Sequence, residues 1–255
     1  MLFILLAWPA ATPGAATFSI LDEFDGPAAG QTVSIVDASL GESAEDVASG
    51  TGAVGDTRQI LLRVFETPGG SSLLQATVNG SGTPGTLDVS QSAGIRSRTT
   101  IVYDAGGAGL DLDLAGLVSF TVEGVSVDQD TLLSFTTHAP AFGGGMVSSG
   151  RSVSLPAGFS GDVTVDGSFF AGDLGQVFRV QLDVLFSTAG GDLEADRFVA
   201  IIPEPSTALL VGLGLVGLGA TRRPRSGAGD RLHGGQQTPR ARSRRSARRL
   251  RALRG

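Results

Sequence analysis

The residues able to do chemistry are few and scattered. A Ser/His/Asp hydrolase would have to use His138, the only histidine before the C-terminal tail, and no G-x-S-x-G elbow accompanies it. An ordinary loop residue is the expectation there. A glycosidase needs two carboxyls about 5 to 9 Å apart, and among the 24 acids before Arg222 no pair is singled out. The run Gly106-Gly107-Ala108-Gly109-Leu110-Asp111 begins like a calcium-binding β-roll repeat, in which glycines permit tight turns and Asp supplies hard oxygen ligands. Asp113 takes a position that should be apolar, and no second copy occurs. There remains one local calcium site using Asp104, Asp111 and Asp113, with a solvated acidic turn as the default. Asp128 and Asp130 form a weaker pair. Gly212-x-Gly214-x-x-Gly217 spells a dinucleotide fingerprint, but polar, arginine-rich sequence comes next where a helix, a second strand and an acid about twenty positions on are required.

Composition narrows the choice. Cysteine is absent, which excludes disulfides, thiolate zinc sites and cysteine nucleophiles. Lysine is absent too, so all 19 basic residues are arginine, and 12 of them lie in 222–254. Before Arg222, 24 acids stand against 7 arginines, a net −17; from Arg222 onward, 12 arginines stand against Asp230 alone, a net +11. An acidic domain of this kind stays soluble, repels nucleic acid and attracts divalent cations. Beyond calcium, no cofactor is expected. The basic tail has the charge to hold nucleic acid nonspecifically by displacing counterions, but it reads first as a topology determinant, and no specific nucleic-acid partner is expected.

The elements that must position these residues begin with an apolar N-terminus. Residues 1–8 are almost wholly apolar and 10–16 are rich in small residues, the order of a signal peptide, with cleavage after Ala16 placing Gly14 and Ala16 at the two small positions. The run is too short to span a bilayer. No Lys or Arg comes directly after Met1, so the true start is expected upstream. A buried first strand is the alternative, which Pro9 and Pro13 interrupt. From 18 to 202 the apolar period is two, clearest over 176–187, where Val177, Arg179, Gln181, Asp183 and Leu185 alternate with Phe178, Val180, Leu182, Val184 and Phe186. Shorter runs at 31–37, 58–66, 73–78, 98–103, 117–127, 131–137, 152–155, 163–165 and 197–202 bring the total to about ten strands. Pro68-Gly69-Gly70, Asn79-Gly80, Pro84-Gly85, Gly106-Gly107 and Gly143-Gly144-Gly145 supply turns. Asn79-Gly80-Ser81 also spells a glycosylation acceptor, but the hairpin reading prevails. With no helical pattern between strands, the expected fold is all-β: an antiparallel two-sheet β-sandwich, jelly-roll-like, plus one short C-terminal hydrophobic helix.

Pro203-Glu204-Pro205 precedes fifteen uncharged residues, 206–220, and then Arg222, Arg223 and Arg225. Pro205 suits a first helical turn, and Glu204 suits the positive end of the helix dipole. Fifteen residues at about 1.5 Å each reach about 22 Å, against a hydrocarbon core of about 30 Å, so the segment suits a transient tether better than a permanent anchor. Arginines after it would hold that end in the cytoplasm and leave Pro203 to Pro205 outside. A single-pass anchor is the plainer alternative.

The string PEPSTALLVGLGLVGLGATRR resembles the PEP-CTERM protein-sorting signal of exopolysaccharide-producing Gram-negative bacteria. The resemblance implies an exosortase, a polytopic membrane cysteine protease or transpeptidase, as partner, with Pro203, Glu204 and Pro205 as recognition residues and Arg222, Arg223 and Arg225 as topology determinants. More weakly, FSILDEFD at 18–25 and YDAGGAGLDLDL at 103–114 resemble an exported PEP-CTERM domain type with little assigned biochemistry. Residues 226–255 depart from the pattern, since such signals usually stop soon after the arginines; a genuine cytoplasmic tail and an out-of-frame readthrough both fit.

The expected organisation is a signal peptide at 1–16, a β domain at 17–202, a sorting signal at 203–225 and an arginine-rich, disordered tail at 226–255. The expected role is that of a non-enzymatic exported protein, held briefly at the inner membrane through 206–220, processed, and delivered to the cell surface or exopolysaccharide matrix. A polysaccharide- or calcium-binding β-sandwich module and a glycan-acting hydrolase are the alternatives.

Overall fold

Side chains that alternate along an extended backbone leave one face for a core and one for water. In a computed structural model, which describes residues 16–24, 30–67, 72–78 and 85–203, that rule produces fourteen strands. They are β1 (Ala16–Asp22), β2 (Gln31–Val36), β3 (Ser43–Ser49), β4 (Thr57–Glu66), β5 (Leu73–Val78), β6 (Leu87–Gln91), β7 (Arg96–Tyr103), β8 (Ser119–Val127), β9 (Thr131–Pro140), β10 (Met146–Leu155), β11 (Ser160–Asp166), β12 (Arg179–Phe186), β13 (Gly191–Ala195) and β14 (Arg197–Pro203). All belong to the first of two compact units, Met1–Thr207. The helical elements among the described residues are three short 3-10 turns.

The strands form two antiparallel sheets. The eight-stranded sheet runs β1-β14-β8-β13-β6-β5-β2, with β11 on the other edge of β8. Strands β13 and β14 succeed one another along a single edge of β8: Glu194 faces Ser126, and Arg197 faces Glu123. Between those pairs β8 turns at Gly124, whose φ of 65° and whose crowding by the Asp196 side chain leave no room for a Cβ. The six-stranded sheet runs β10-β9-β12-β7-β4-β3.

Both sheets feed one core. Phe198 of β14 is its aromatic centre, with ring centroids 5.6 Å from Phe120, 5.8 Å from Phe135 and 6.0 Å from Tyr103. Beside this cluster the sheets are joined by buried charge. A bulge in the β1–β14 pairing lies between Ile20 and Asp22, and it lets the consecutive residues Leu21 and Asp22 both turn inward. The Asp22 carboxylate accepts both of its oxygens' bonds from Arg58 Nη1 at 2.9 Å, a third from the Tyr103 hydroxyl at 3.0 Å and a fourth from the Phe24 N–H at 2.8 Å. Arg58 Nε donates to Gln31 Oε1 at 2.9 Å, while Arg58 Nη2 is buried with no partner among the described residues. Both charged side chains are 0% exposed. Burial pushes the Asp22 carboxyl above its ordinary value, against the pull of Arg58, and pushes the Tyr103 hydroxyl well up.

The structure adds strands that the period-two pattern does not reveal. β3 is exposed along both faces, so it carries no apolar alternation; β6 and β13 are only five residues each. The alternation read over 176–187 holds from Val180 onward but reverses at its start, where Val177 is 0% and Phe178 38% exposed. Val177 leaves the sheet after a 3-10 turn and pairs instead with Leu112. β5 and β6 do form a hairpin, but Val78 pairs with Leu87, a longer connection than a two-residue Asn79-Gly80 turn. The signal-peptide residues 1–15, the turns at 68–70 and 79–80, the hydrophobic helix at 206–220 and the tail at 226–255 lie outside the described residues.

Breaking the buried pair strands one charge in the core. Arg58→Met is expected to cost about 3–5 kcal/mol, and Tyr103→Phe, which removes one bond to a buried carboxylate, about 1–2 kcal/mol. Urea unfolding of the three proteins checks both values and their order.

Candidate functional site

The strand that leads into the Pro-Glu-Pro tripeptide is held on both edges. β14 pairs with β8 on one side and with β1 on the other, and the last pair of the β1 ladder is Ala16 with Pro203. The residue after which signal cleavage is expected and the first residue of the tripeptide therefore lie side by side. Glu204, Pro205, Arg222, Arg223 and Arg225 lie outside the described residues.

Two of the three acids expected for calcium, Asp104 and Asp113, accept hydrogen bonds from nearby groups. Asp104 is buried; its Oδ1 accepts from the Gly107 N–H at 2.9 Å and its Oδ2 pairs with Arg179 Nη2 at 2.8 Å. Asp113 Oδ1 accepts from the Ala115 N–H at 2.8 Å, and Asp111 is exposed with a φ of 47°. Asp128 and Asp130 likewise accept from the N–H groups of Asp192 and Ala157. Among the described residues, no group of three or more His, Asp or Glu side chains is arranged to hold a metal.

His138 is not a loop residue. It lies on β9 opposite Ser148 of the edge strand β10, and the Ser148 hydroxyl stands 2.7 Å from its Nδ1. A serine beside the histidine is the first half of a hydrolase. The second half is a carboxylate that orients the imidazole, and the other ring nitrogen, Nε2, is buried with no hydrogen-bond partner among the described residues. Partial burial and the neighbouring Arg179 hold the imidazole below its ordinary value.

A different arrangement emerges on the outer face of the six-stranded sheet. Residues that alternate with the core face line up in rows across the strands: Gln59, Val102, Gln181 and Thr136 form one, and Leu61, Thr100, Asp183 and Ser134 the next. In a third row Arg63 of β4 stands directly opposite Arg98 of β7. Gln59, Leu61, Arg63, Arg98, Thr100 and Gln181 of these rows line a groove of about 560 Å³, with Glu45 and Arg179, a size typical of ligand sites. Its polar floor is partly prearranged, since Asp183 accepts from the Thr100 hydroxyl at 2.5 Å and from Gln181 Nε2 at 2.8 Å. Sequence reasoning misses Arg63 and Arg98. The available signal is parity: Arg58 and Arg63 are five residues apart in one strand, so when Arg58 points inward Arg63 must point out.

Among solved structures, the chain is similar to the family 11 carbohydrate-binding module from Clostridium thermocellum in complex with a β-1,3-1,4-mixed-linked tetrasaccharide, at 13% identity over 74% of this chain and 97% of that one, with a TM-score of 0.41. It is also similar to the family 30 carbohydrate-binding module of a cellulosomal cellulase of the same organism, at 12% identity over 68% and 99% of the two chains, with a TM-score of 0.33. No curated protein matches the chain. A family model does match at the end of the fold: residues 202–223, beginning within β14, carry a PEP-CTERM protein-sorting motif.

Proposed function

We propose that this chain is an exported, non-catalytic protein of the cell surface or exopolysaccharide matrix of a Gram-negative-type bacterium, a jelly-roll-like sandwich sorted and processed through its C-terminal signal. The sorting-motif match at 202–223 carries the reading. In it, an exosortase recognises Pro203, Glu204 and Pro205 while residues 206–220 tether the chain and Arg222, Arg223 and Arg225 keep the far end inside. The pairing of Ala16 with Pro203 supports it, because cuts at both ends leave the sandwich whole. Deleting 203–223 is expected to change the destination and abolish maturation, which fractionation and immunoblotting measure. An unchanged destination and an unchanged mature size would overturn the proposal.

The non-catalytic part is supported by the lack of a partner for His138 Nε2 among the described residues and by the position of Ser148 on an exposed edge strand. A fluorophosphonate probe is expected to leave Ser148 unlabelled, and NMR to find His138 titrating below 6.5. Since the fold favours the neutral imidazole, that group's contribution to stability is complete above its unfolded value and is lost as pH falls through the folded one. Labelling of Ser148 would reinstate the hydrolase reading.

A second reading, polysaccharide recognition, is favoured by the groove across the six-stranded sheet. Gln59, Gln181 and Thr100 present amides and a hydroxyl, which match the mixed donors and acceptors of sugar hydroxyls.

A further inference from the structure

The two outer faces of the sandwich differ in charge. On the eight-stranded sheet Glu194 stands beside Asp88, with Asp128 and Asp192 lining the same shallow depression. Nearby, Glu23, Glu123 and Asp196 line another with Arg197. The groove of the six-stranded sheet instead gathers Arg63, Arg98 and Arg179, three of the seven arginines that precede the tail.

Arg63 and Arg98 are the unusual pair. Four of those seven arginines have a carboxylate within salt-bridge distance: Arg58, Arg96, Arg179 and Arg197. Arg63 and Arg98 have none among the described residues; both are exposed, and each guanidinium stands 5.7 Å from the centre of the Phe65 ring. Like charges directly opposite on neighbouring strands destabilise a sheet. One aromatic face offsets part of that repulsion, and an oxyanion between the two forks would remove it, because a guanidinium binds a planar oxyanion bidentately. Residues 17–202 carry a net −16, so this spot is positive against the sign of its surroundings.

We propose that the groove binds an acidic polysaccharide, holding a uronate carboxylate between Arg63 and Arg98 while Gln59, Thr100 and Gln181 contact the neutral hydroxyls of adjoining sugars. This rests on the polysaccharide reading above and adds the charge class of the polymer and the residues that select it.

The test is calorimetric titration of the full chain with polyuronate oligomers, a sulfated oligomer and a neutral mixed-linkage glucan of matched length. The double variant Arg63→Gln/Arg98→Gln is expected to weaken uronate binding by roughly ten- to a hundredfold and to melt no lower than the parent, since it removes a repulsion. Arg63→Lys/Arg98→Lys keeps the charge without the fork and is expected to fall between. Arg151→Gln changes an exposed arginine stacked on Phe169 outside the groove and is expected to bind like the parent. Uronate binding unchanged in the double glutamine variant would place it on the arginine-rich tail and overturn the proposal. Preference for the sulfated oligomer would overturn the uronate assignment, and equal binding of the neutral glucan would overturn the anionic class while leaving the polysaccharide reading in place. Binding of none of the three would overturn both.

Discussion

The Arg58–Asp22 pair is the constraint around which the sandwich closes. Two opposite charges in an apolar core cost several kcal/mol each to desolvate and recover that cost only when their bonds are met in one geometry. Here the geometry draws on both sheets: Asp22 and Gln31 from the eight-stranded one, Arg58 and Tyr103 from the six-stranded one. Its main effect is on register. A one-residue slip of β1 would withdraw Asp22 from Arg58 and turn every side chain of the strand to the other face. By holding β1 in place, the pair also determines that Ala16 ends opposite Pro203, so the described strands meet where the matched motif begins.

That seam links fold and destination. β14 buries Phe198 at the aromatic centre of the core and, five residues later, reaches the proline that opens the tripeptide. The described strands end at Pro203, just inside the matched motif at 202–223. Loss of β1 would leave Arg58 without its counter-ion.

Much of this is legible in the sequence, and the failures have physical causes. β4, β5, β9 and β12 carry alternating runs because each buries mainly one face in the common core, whereas β8 buries both faces over its first four residues. β3 buries no face and so leaves no such trace. Nothing in the local pattern of FSILDEFD and YDAGGAGLDLDL says that Asp22 of one meets Tyr103 of the other; that contact joins residues 81 apart and depends on the whole topology. The acidic composition suggests cation binding. In the fold Asp104, Asp113, Asp128, Asp130 and Asp166 accept from backbone N–H groups, a local use that composition does not distinguish from a ligand set. The groove is hidden for a related reason: Arg63 and Arg98 become neighbours only through the β4–β7 ladder.

The central claim is that a self-contained sandwich ends at a sorting signal that other machinery reads. Intact-mass measurement of the protein released from the producing cell tests this most directly. The account predicts a single species with both ends trimmed to the seam, beginning near Thr17 and ending near Pro203. A released species still carrying the hydrophobic segment and its arginines would contradict it.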